Sequence, residues 1–477
     1  MSNIQTKKHP RALPICFTTE MWERFGYKIL LGLLVFVLLK KYNLDDSQAA
    51  VIVGGFTGLL YITSIVAGFI ADKFIGYYRS VILGGIVLII GYLISAIAPS
   101  LLILSIGLGI ISVGTGLLKS NVSSLLGLSY EVGDPNRDKG FTIFYAGINI
   151  GGMLANFTAG YFYEHYGSLI SFCIAASGVL LGVLIFYFGF KLSNLKPLRD
   201  NVSFTEWLSA ILMIFVSIVV ATFIIYNPKV SVIFFVLVIF VSIFVVIKIS
   251  IHDTKQLKKS FAYLLFLAIA IVFWGIYNQM FLSMNLFINR LVEHSFFGIP
   301  MTTQSFIIAN NVGVIVFGFT IIKLWNYLND VKKYILGMFL LCFVFMIVIS
   351  GINTTSELAK IAGYWVIMAY LMLSLSEICI SPIGLSLATK LAPKGKTGMF
   401  MGLWLVTMGI GGFLAGIIAK FAAIDSVKNL NVIEMKEVYN HAFTIYVGIA
   451  VVAFVLTIVI GKVINMLLAD SKSYRKI

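Results

Sequence analysis

Apolar runs of about 20 residues or more recur along the whole chain, separated by charged or Pro- and Gly-containing breaks, and this recurrence restricts the fold most. A backbone inside hydrocarbon has no water to bond, so runs of this length become helices that satisfy their own N–H and C=O groups. Fourteen are expected, at residues 13–39, 47–71, 79–98, 101–127, 140–163, 168–190, 205–226, 230–251, 261–289, 303–326, 334–352, 361–389, 398–422 and 442–467. Only 12% of the residues are charged and 60% are hydrophobic, against about 25% charged in a soluble domain. The chain therefore reads as an all-α polytopic membrane protein.

The formal net charge of +15 would suggest a nucleic-acid partner in a soluble protein. Here it follows from the positive bias of cytoplasmic loops, so the expected partner is the lipid bilayer and not nucleic acid. With both termini inside, 24 of the 35 Lys and Arg residues fall in cytoplasmic loops, tails and adjoining helix ends. Eight fall outside (Lys40, Lys41, Lys229, Arg290, Lys360, Lys420, Lys428 and Lys436), and three remain within the membrane: Arg24, Lys28 and Lys119. One miscounted helix would invert the bias from that point onward. Cys16, Cys173, Cys342 and Cys379 lie in or beside apolar segments without metal-ligand spacing, and read as reduced packing residues. The N-terminal residues Lys7, Lys8 and Arg11 do not lead into a short apolar core with a cleavage site, so no removable signal peptide is expected.

Charges inside the membrane are the next constraint. Glu20, Glu23, Arg24 and Lys28 follow the spacing i, i+3, i+4, i+8, which puts them on one side of the first helix. Each costs about 2.5–3.5 kcal/mol in hydrocarbon, so they must face a water-filled cavity or one another. Of the acids, only Glu20, Glu23 and Glu377 lie deep in apolar segments. Three buried bases thus stand against three buried acids, the balance a polar central cavity requires.

Four further stretches carry possible chemistry. Gly68 to Arg79, with Asp72, Lys73 and Gly76, is expected as a cytoplasmic loop and resembles the loop signature of the major facilitator superfamily; Asp72 in it is suited to bond helix N-termini or bases. Lys119, followed by Ser120, Asn121 and Ser124, suggests a wet helix face, with snorkelling to the inner interface as the alternative. Gly147 and Gly151 form a close-packing face, and Asn149 between them is either interhelical glue or a substrate contact. Glu377, with Pro382 five residues on, suggests a kinked helix exposing a carboxylate, or a structural glutamate satisfied by a neighbouring hydroxyl. The helix pair at about 205–251 is nearly all Ile, Val and Phe and reads as a lipid-facing insert. The boundaries are 1–200 for a first six-helix bundle, 201–259 for the insert and 260–477 for a second bundle, as in repeat-built transporters.

At these residues the chain resembles the proton-dependent oligopeptide transporter (POT, or PTR) family of the major facilitator superfamily. Glu20-xx-Glu23-Arg24-Phe25-x-Tyr27, Phe144-Tyr145-xx-Ile148-Asn149-x-Gly151 and Ser376-Glu377-xxx-Ser381-Pro382-x-Gly384-Leu385-Ser386 match its first-, fifth- and tenth-helix motifs. Tyr61, Phe273-Trp274-xxx-Asn278-Gln279, Asn310 and Met401-Gly402-Leu403-Trp404 are weaker echoes, in the family's order. The resemblance implies a major facilitator fold in the cell membrane of a bacterium, with proton-driven symport of di- and tripeptides by alternating access. By the same resemblance, Arg24 and Lys119 hold the peptide carboxylate with Tyr27 and Tyr61 nearby, and Asn149, Asn310 and Glu377 hold its amino end. Trp404 shapes a side-chain pocket, and Glu20 and Glu23 carry the proton beside Arg24. Lys28, Trp274, Asn278 and Ser381 complete the expected substrate-contacting set.

Two departures stand out. The family usually has tyrosine at the position of Lys28, and an acid at the position of Asn278 that pairs with the first-helix arginine when the outer gate closes. Arg24 and Lys28 are like charges at i, i+4, so one must lean on Glu20 or Glu23 unless Lys28 is neutral. The alternative substrate is therefore another small carboxylate or organic anion, carried with altered proton coupling. An enzyme is not expected: His9, His165, His252, His294 and His441 all fall in loops or at span ends, and the acids form no metal-like cluster. No cofactor or metal is expected, and a monomer is.

Overall fold

The computed structural model describes residues 9–131, 136–193, 195, 199, 201–296, 298–325, 328–393, 396–424 and 430–468. Lys7, Lys8, Lys428 and the ends of both termini lie outside these residues. Helices dominate: α1 (Ala12–Tyr42), α2 (Asp46–Ile70), α3 (Gly76–Ile97), α4 (Leu101–Leu128), α5 (Arg137–Leu192), α6 (Phe204–Tyr226) and α7 (Pro228–Ser250) in the first half of the chain. They continue with α8 (Thr254–Tyr277), α9 (Ser283–Leu291), α10 (Ile308–Trp325), α11 (Asp330–Thr354), α12 (Gly363–Leu391), α13 (Thr397–Ile418) and α14 (Val432–Leu468). Ten described stretches are long and apolar enough to cross a membrane. A small hairpin, Ser295–Phe296 with Ile299–Pro300, turns at Gly298, where φ is 81°.

Three breaks shape these helices. The stretch expected as a loop at 68–79 is instead helical: a π-turn over Ala71–Ile75 joins α2 to Gly76, whose φ of 76° lets α3 start in a new direction. Gly167, at φ 75° and ψ −173°, divides α5 where the sequence reading separates 140–163 from 168–190. The run expected as one helix at 261–289 is interrupted by a 3-10 turn at Asn278–Phe281 and a non-helical Leu282 (φ −118°, ψ −100°), between α8 and α9. Position 278, expected from the sequence to contact substrate, thus lies at a discontinuity. Helix α12 runs through Pro382.

The chain divides into two compact units. One comprises Met1–Leu33 and Leu59–Tyr226, and the other Leu34–Gly58 and Asn227–Ile477. In the first, α3 packs on α4 and α5, and α4 on α6. The α3–α4 approach is close because a Cβ added at Gly91 or Gly107 would lie 3.1 Å from the other glycine's carbonyl oxygen. In the second, α11 packs on α12 and α14, and α8 on α13, α14 and α12. The two helices read as an insert divide between the units: α6 lies with the first and α7, on α8 and α13, with the second. Most of the apolar surface of both is exposed, as lipid-facing helices require.

Candidate functional site

In the first unit, α1 carries its charges on a face built by small residues of α5. A Cβ at Gly147 would stand 2.9 Å from the Phe17 ring, and one at Gly151 would run into the Met21 carbonyl. The predicted Gly147–Gly151 seam therefore receives α1. Asn149 is half a turn away from that seam, half-buried, and donates to Tyr145 O at 3.3 Å.

Glu20 and Glu23 are both buried, and both address Arg24, itself only 4% exposed. Arg24 Nε donates to Glu23 Oε2, and Glu20 Oε1 lies 3.5 Å from the same nitrogen. Neither Glu20 oxygen, nor Glu23 Oε1, nor Arg24 Nη2 has a hydrogen-bond partner among the described residues. The trio is held by charge more than by a complete hydrogen-bond set. Buried ion pairs with unmet polar atoms are costly, which is expected where a ligand or proton completes them. The Arg24 guanidinium lies 4.6 Å from the Tyr27 ring centre, and Lys28 Nζ 5.8 Å from the same ring.

Lys119 on α4 sits 5.0 Å from the Tyr61 ring centre, half-buried and within electrostatic range of Arg24, Glu20 and Glu23. Its polar neighbours turn inward on their own helix. Ser120 and Ser124 donate to the carbonyls of Gly116 and Ser120 at 2.7 and 2.9 Å, and Asn121 to that of Leu117 at 2.7 Å. Such i−4 bonds satisfy hydroxyl and amide groups without water, so these residues do not by themselves mark a wet face.

In the second unit, three helices converge on Glu377. Asn310 Nδ2 on α10 donates to Glu377 Oε2 on α12 at 3.4 Å, and the Tyr277 hydroxyl on α8 donates to Asn310 Oδ1 at 3.5 Å. Tyr277 escaped the sequence reading because one tyrosine in an aromatic run carries no signal. Asn278 is half-buried and returns its amide to Trp274 O at 2.8 Å. Trp274 and Trp404 are edge-to-face with centres 6.4 Å apart, and Trp404 fills the space left by Gly384. The Trp274 indole Nε1 is buried without a partner among the described residues. Ser381 lies one turn from Glu377 on α12 and is half-buried. The predicted residues thus fall into two groups: Glu20, Glu23, Arg24, Tyr27, Lys28, Tyr61, Lys119 and Asn149 in one unit, and Trp274, Asn278, Asn310, Glu377, Ser381 and Trp404 in the other.

The sequence reading missed a second ion pair. Arg290 at the end of α9 holds Asp46 at the start of α2 through two bonds of 2.7 and 2.8 Å, and donates to the Tyr439 hydroxyl at 2.9 Å. Asp46 Oδ2 also accepts from the Ile424 N–H at 2.9 Å. Both charges sit at span ends, where they pass for ordinary loop residues. On the expected cytoplasmic side Asp72 accepts from the Tyr77 hydroxyl at 2.6 Å, while Arg199 donates to the Lys73 carbonyl and pairs with Glu206.

The POT family description matches residues 78–439. Dipeptide and tripeptide permease A of Klebsiella pneumoniae (strain 342) is 30% identical over 98% of this chain and 95% of its own length. The protein of that name from Escherichia coli (strain K12) is also 30% identical, over 98% of this chain and 96% of its own. The chain belongs to the POT family. Among solved structures, a bacterial homologue of the human drug peptide transporters PepT1 and PepT2 shares the fold, with a TM-score of 0.82 at 23% identity over 96% of this chain and 99% of that one. A peptide transporter POT in complex with sulfate matches at a TM-score of 0.78 and 25% identity, over 96% of each chain. As a POT-family protein the chain is a multi-pass membrane transporter and not an enzyme.

Proposed function

We propose that this POT-family protein is a proton-coupled symporter importing di- and tripeptides by alternating access. In this reading it crosses a bacterial inner membrane fourteen times as a monomer, with both termini cytoplasmic. Residues 1–200 and 260–477 form six-helix bundles, and 201–259 form the insert. Arg24 and Lys119, lined by Tyr27, Tyr61 and Lys28, take the peptide carboxylate. Glu377, with Asn310 and Asn149, takes the amino group. Trp274, Asn278, Ser381 and Trp404 surround the side chains.

The segregation of charge carries the reading. The cations Arg24, Lys28 and Lys119 gather in one polar group, and the carboxylate of Glu377, which accepts from the Asn310 amide, stands in another. A zwitterion needs both. Relatives named dipeptide and tripeptide permease support a peptide as that zwitterion. Glu20 and Glu23 couple the proton because they already occupy Arg24: an arriving carboxylate competes with them, and a proton on one of them relieves the competition. Protein in liposomes loaded with a pH dye tests this. Inward acidification driven by Ala-Ala is expected; transport of Ala-Ala without proton movement rejects symport.

A second reading keeps the carrier and changes the cargo to a small organic anion with altered proton coupling. It is favoured by three bases against two acids around α1 and by the amide, not an acid, at Asn278. Organic anions would then raise the melting temperature of the purified protein where dipeptides do not.

A further inference from the structure

We infer that the α7–α8 turn is a binding site for an anionic phospholipid, with Lys248, Lys255 and Lys259 holding the headgroup and the outer stripe of α7 holding the acyl chains. None of the residues assigned to the cargo takes part. Helix α7 presents two opposite faces. Ser231, Phe235, Val246 and Ser250 are buried, and the Phe235 ring stacks on Phe413 of α13 with centres 4.3 Å apart. Ile233, Leu237, Phe240 and Phe244 recur at i, i+4, i+7 and i+11 on the other face and are all exposed. Only 17% of the α7 span is buried, the smallest share among the ten described apolar stretches. The next position on the exposed stripe, four residues after Phe244, is Lys248, whose Nζ lies 5.9 Å from the Phe244 ring centre. A lysine that ends an apolar stripe lays its stem along the acyl chains and lifts its ammonium to the level of the headgroups.

The turn that follows holds further cations on a fixed frame. Lys255 lies in the first turn of α8 and is exposed, and Lys259 follows one helical turn later, half-buried. The Ser250 and Ser260 hydroxyls bond across the turn at 2.7 Å, and Gln256 Nε2 donates to the Leu391 carbonyl at the end of α12 at 2.9 Å. Asp253, the acid of the turn, is engaged by the backbone. Its Oδ1 accepts from the N–H groups of Lys255 and Gln256 at 2.9 and 3.3 Å and caps α8. Asp330, a second acid at this end of the unit, pairs with Lys333 and Lys390 at 3.5 and 3.0 Å. Among the described residues neither acid forms an ion pair with Lys248, Lys255 or Lys259. An anionic headgroup supplies that negative charge, and several lysines immediately beyond an apolar helix are the pattern such lipids recognise. With so little of α7 packed on protein, the headgroup contact anchors the turn in its leaflet.

Native mass spectrometry of the full chain in detergent, with phosphatidylglycerol or phosphatidylcholine of the same acyl chains added, tests the site. The wild-type protein is expected to retain phosphatidylglycerol about tenfold better. The triple variant Lys248→Gln, Lys255→Gln, Lys259→Gln should bring the two lipids within about twofold of each other. A control triple, Lys332→Gln, Lys396→Gln, Lys462→Gln, removes the same charge from exposed lysines at the same end of the unit, where Gly461 of α14 meets Val331 of α11. It should keep the preference. Equal retention of both lipids by the wild-type protein overturns the assignment, and that comparison needs no variant to fold. A preference kept by the first triple overturns it too. So does a preference lost in both triples, which would come from net charge alone. Displacement of phosphatidylglycerol by an equal concentration of inorganic phosphate would assign a soluble-anion site and overturns the lipid assignment.

Discussion

The two polar groups handle buried charge in opposite ways. Around α1, Glu20 and Glu23 stay buried because a cation, Arg24, lies between them, and several of their polar atoms have no hydrogen-bond partner among the described residues. Around α12, Glu377 is held by the neutral amide of Asn310, itself held by Tyr277. A carboxylate locked to a fixed cation is a structural charge as well as a functional one. A hydrogen bond from a neutral amide leaves the charge of the carboxylate in place. The first group should therefore fail through stability when broken, and the second through activity alone.

Removing the cation gives the largest expected effect. Arg24→Met leaves two carboxylates buried without a counter-charge, at a cost of about 3–5 kcal/mol. A thermal-unfolding assay should show strong destabilisation together with lost uptake, and adding Glu23→Gln should recover part of the stability but not the uptake. Full stability of Arg24→Met would show that both carboxylates are protonated in the resting protein. Glu377→Gln is the contrasting case. It preserves shape and still accepts from Asn310, so stability should change by less than about 1 kcal/mol. Uptake should fall about a hundredfold, the factor that corresponds to about 2.7 kcal/mol of lost ion pairing.

Much of this contrast was legible in the sequence, because ionisable residues in apolar runs are few and conspicuous. Glu20, Glu23, Arg24, Lys28, Lys119 and Glu377 needed no coordinates to be noticed. The path of the backbone between them was not legible. The interruption at Asn278–Leu282 lies inside a run that continues a helical pattern, while the charged stretch expected as a loop closes into a π-turn at Ala71–Ile75, and only packing in three dimensions selects them. The serines around Lys119 carry less signal for a related reason: a hydroxyl bonded to its own helix looks the same in sequence as one bonded only to water. The Asp46–Arg290 pair was hidden by separation, since its partners stand 244 positions apart.

That pair supplies a third, smaller test. Its partners are bonded directly and Arg290 is 24% exposed, against 4% for Arg24, so Asp46→Asn should cost about 1–3 kcal/mol, less than Arg24→Met. Thermal unfolding of the two variants side by side gives the order; a larger loss at Asp46 would place the main structural charge at the end of α2. The smallest change expected is from Asn278→Asp, which adds an acid where the amide now bonds Trp274 O. It should alter the pH profile of uptake while leaving maximal uptake largely intact. An unchanged profile would assign coupling to Glu20 and Glu23 alone.

The division of labour between the two groups is tested most directly with a peptide whose amino charge is removed. Binding of Ala-Ala and of N-acetyl-Ala-Ala is compared in wild-type protein and in Glu377→Gln by calorimetry. If Glu377 holds the amino group, the wild-type protein prefers Ala-Ala by at least about tenfold, and the variant binds both peptides equally weakly. If Glu377→Gln keeps the wild-type preference for the free amine, the amino group is held elsewhere and the two-group account is wrong.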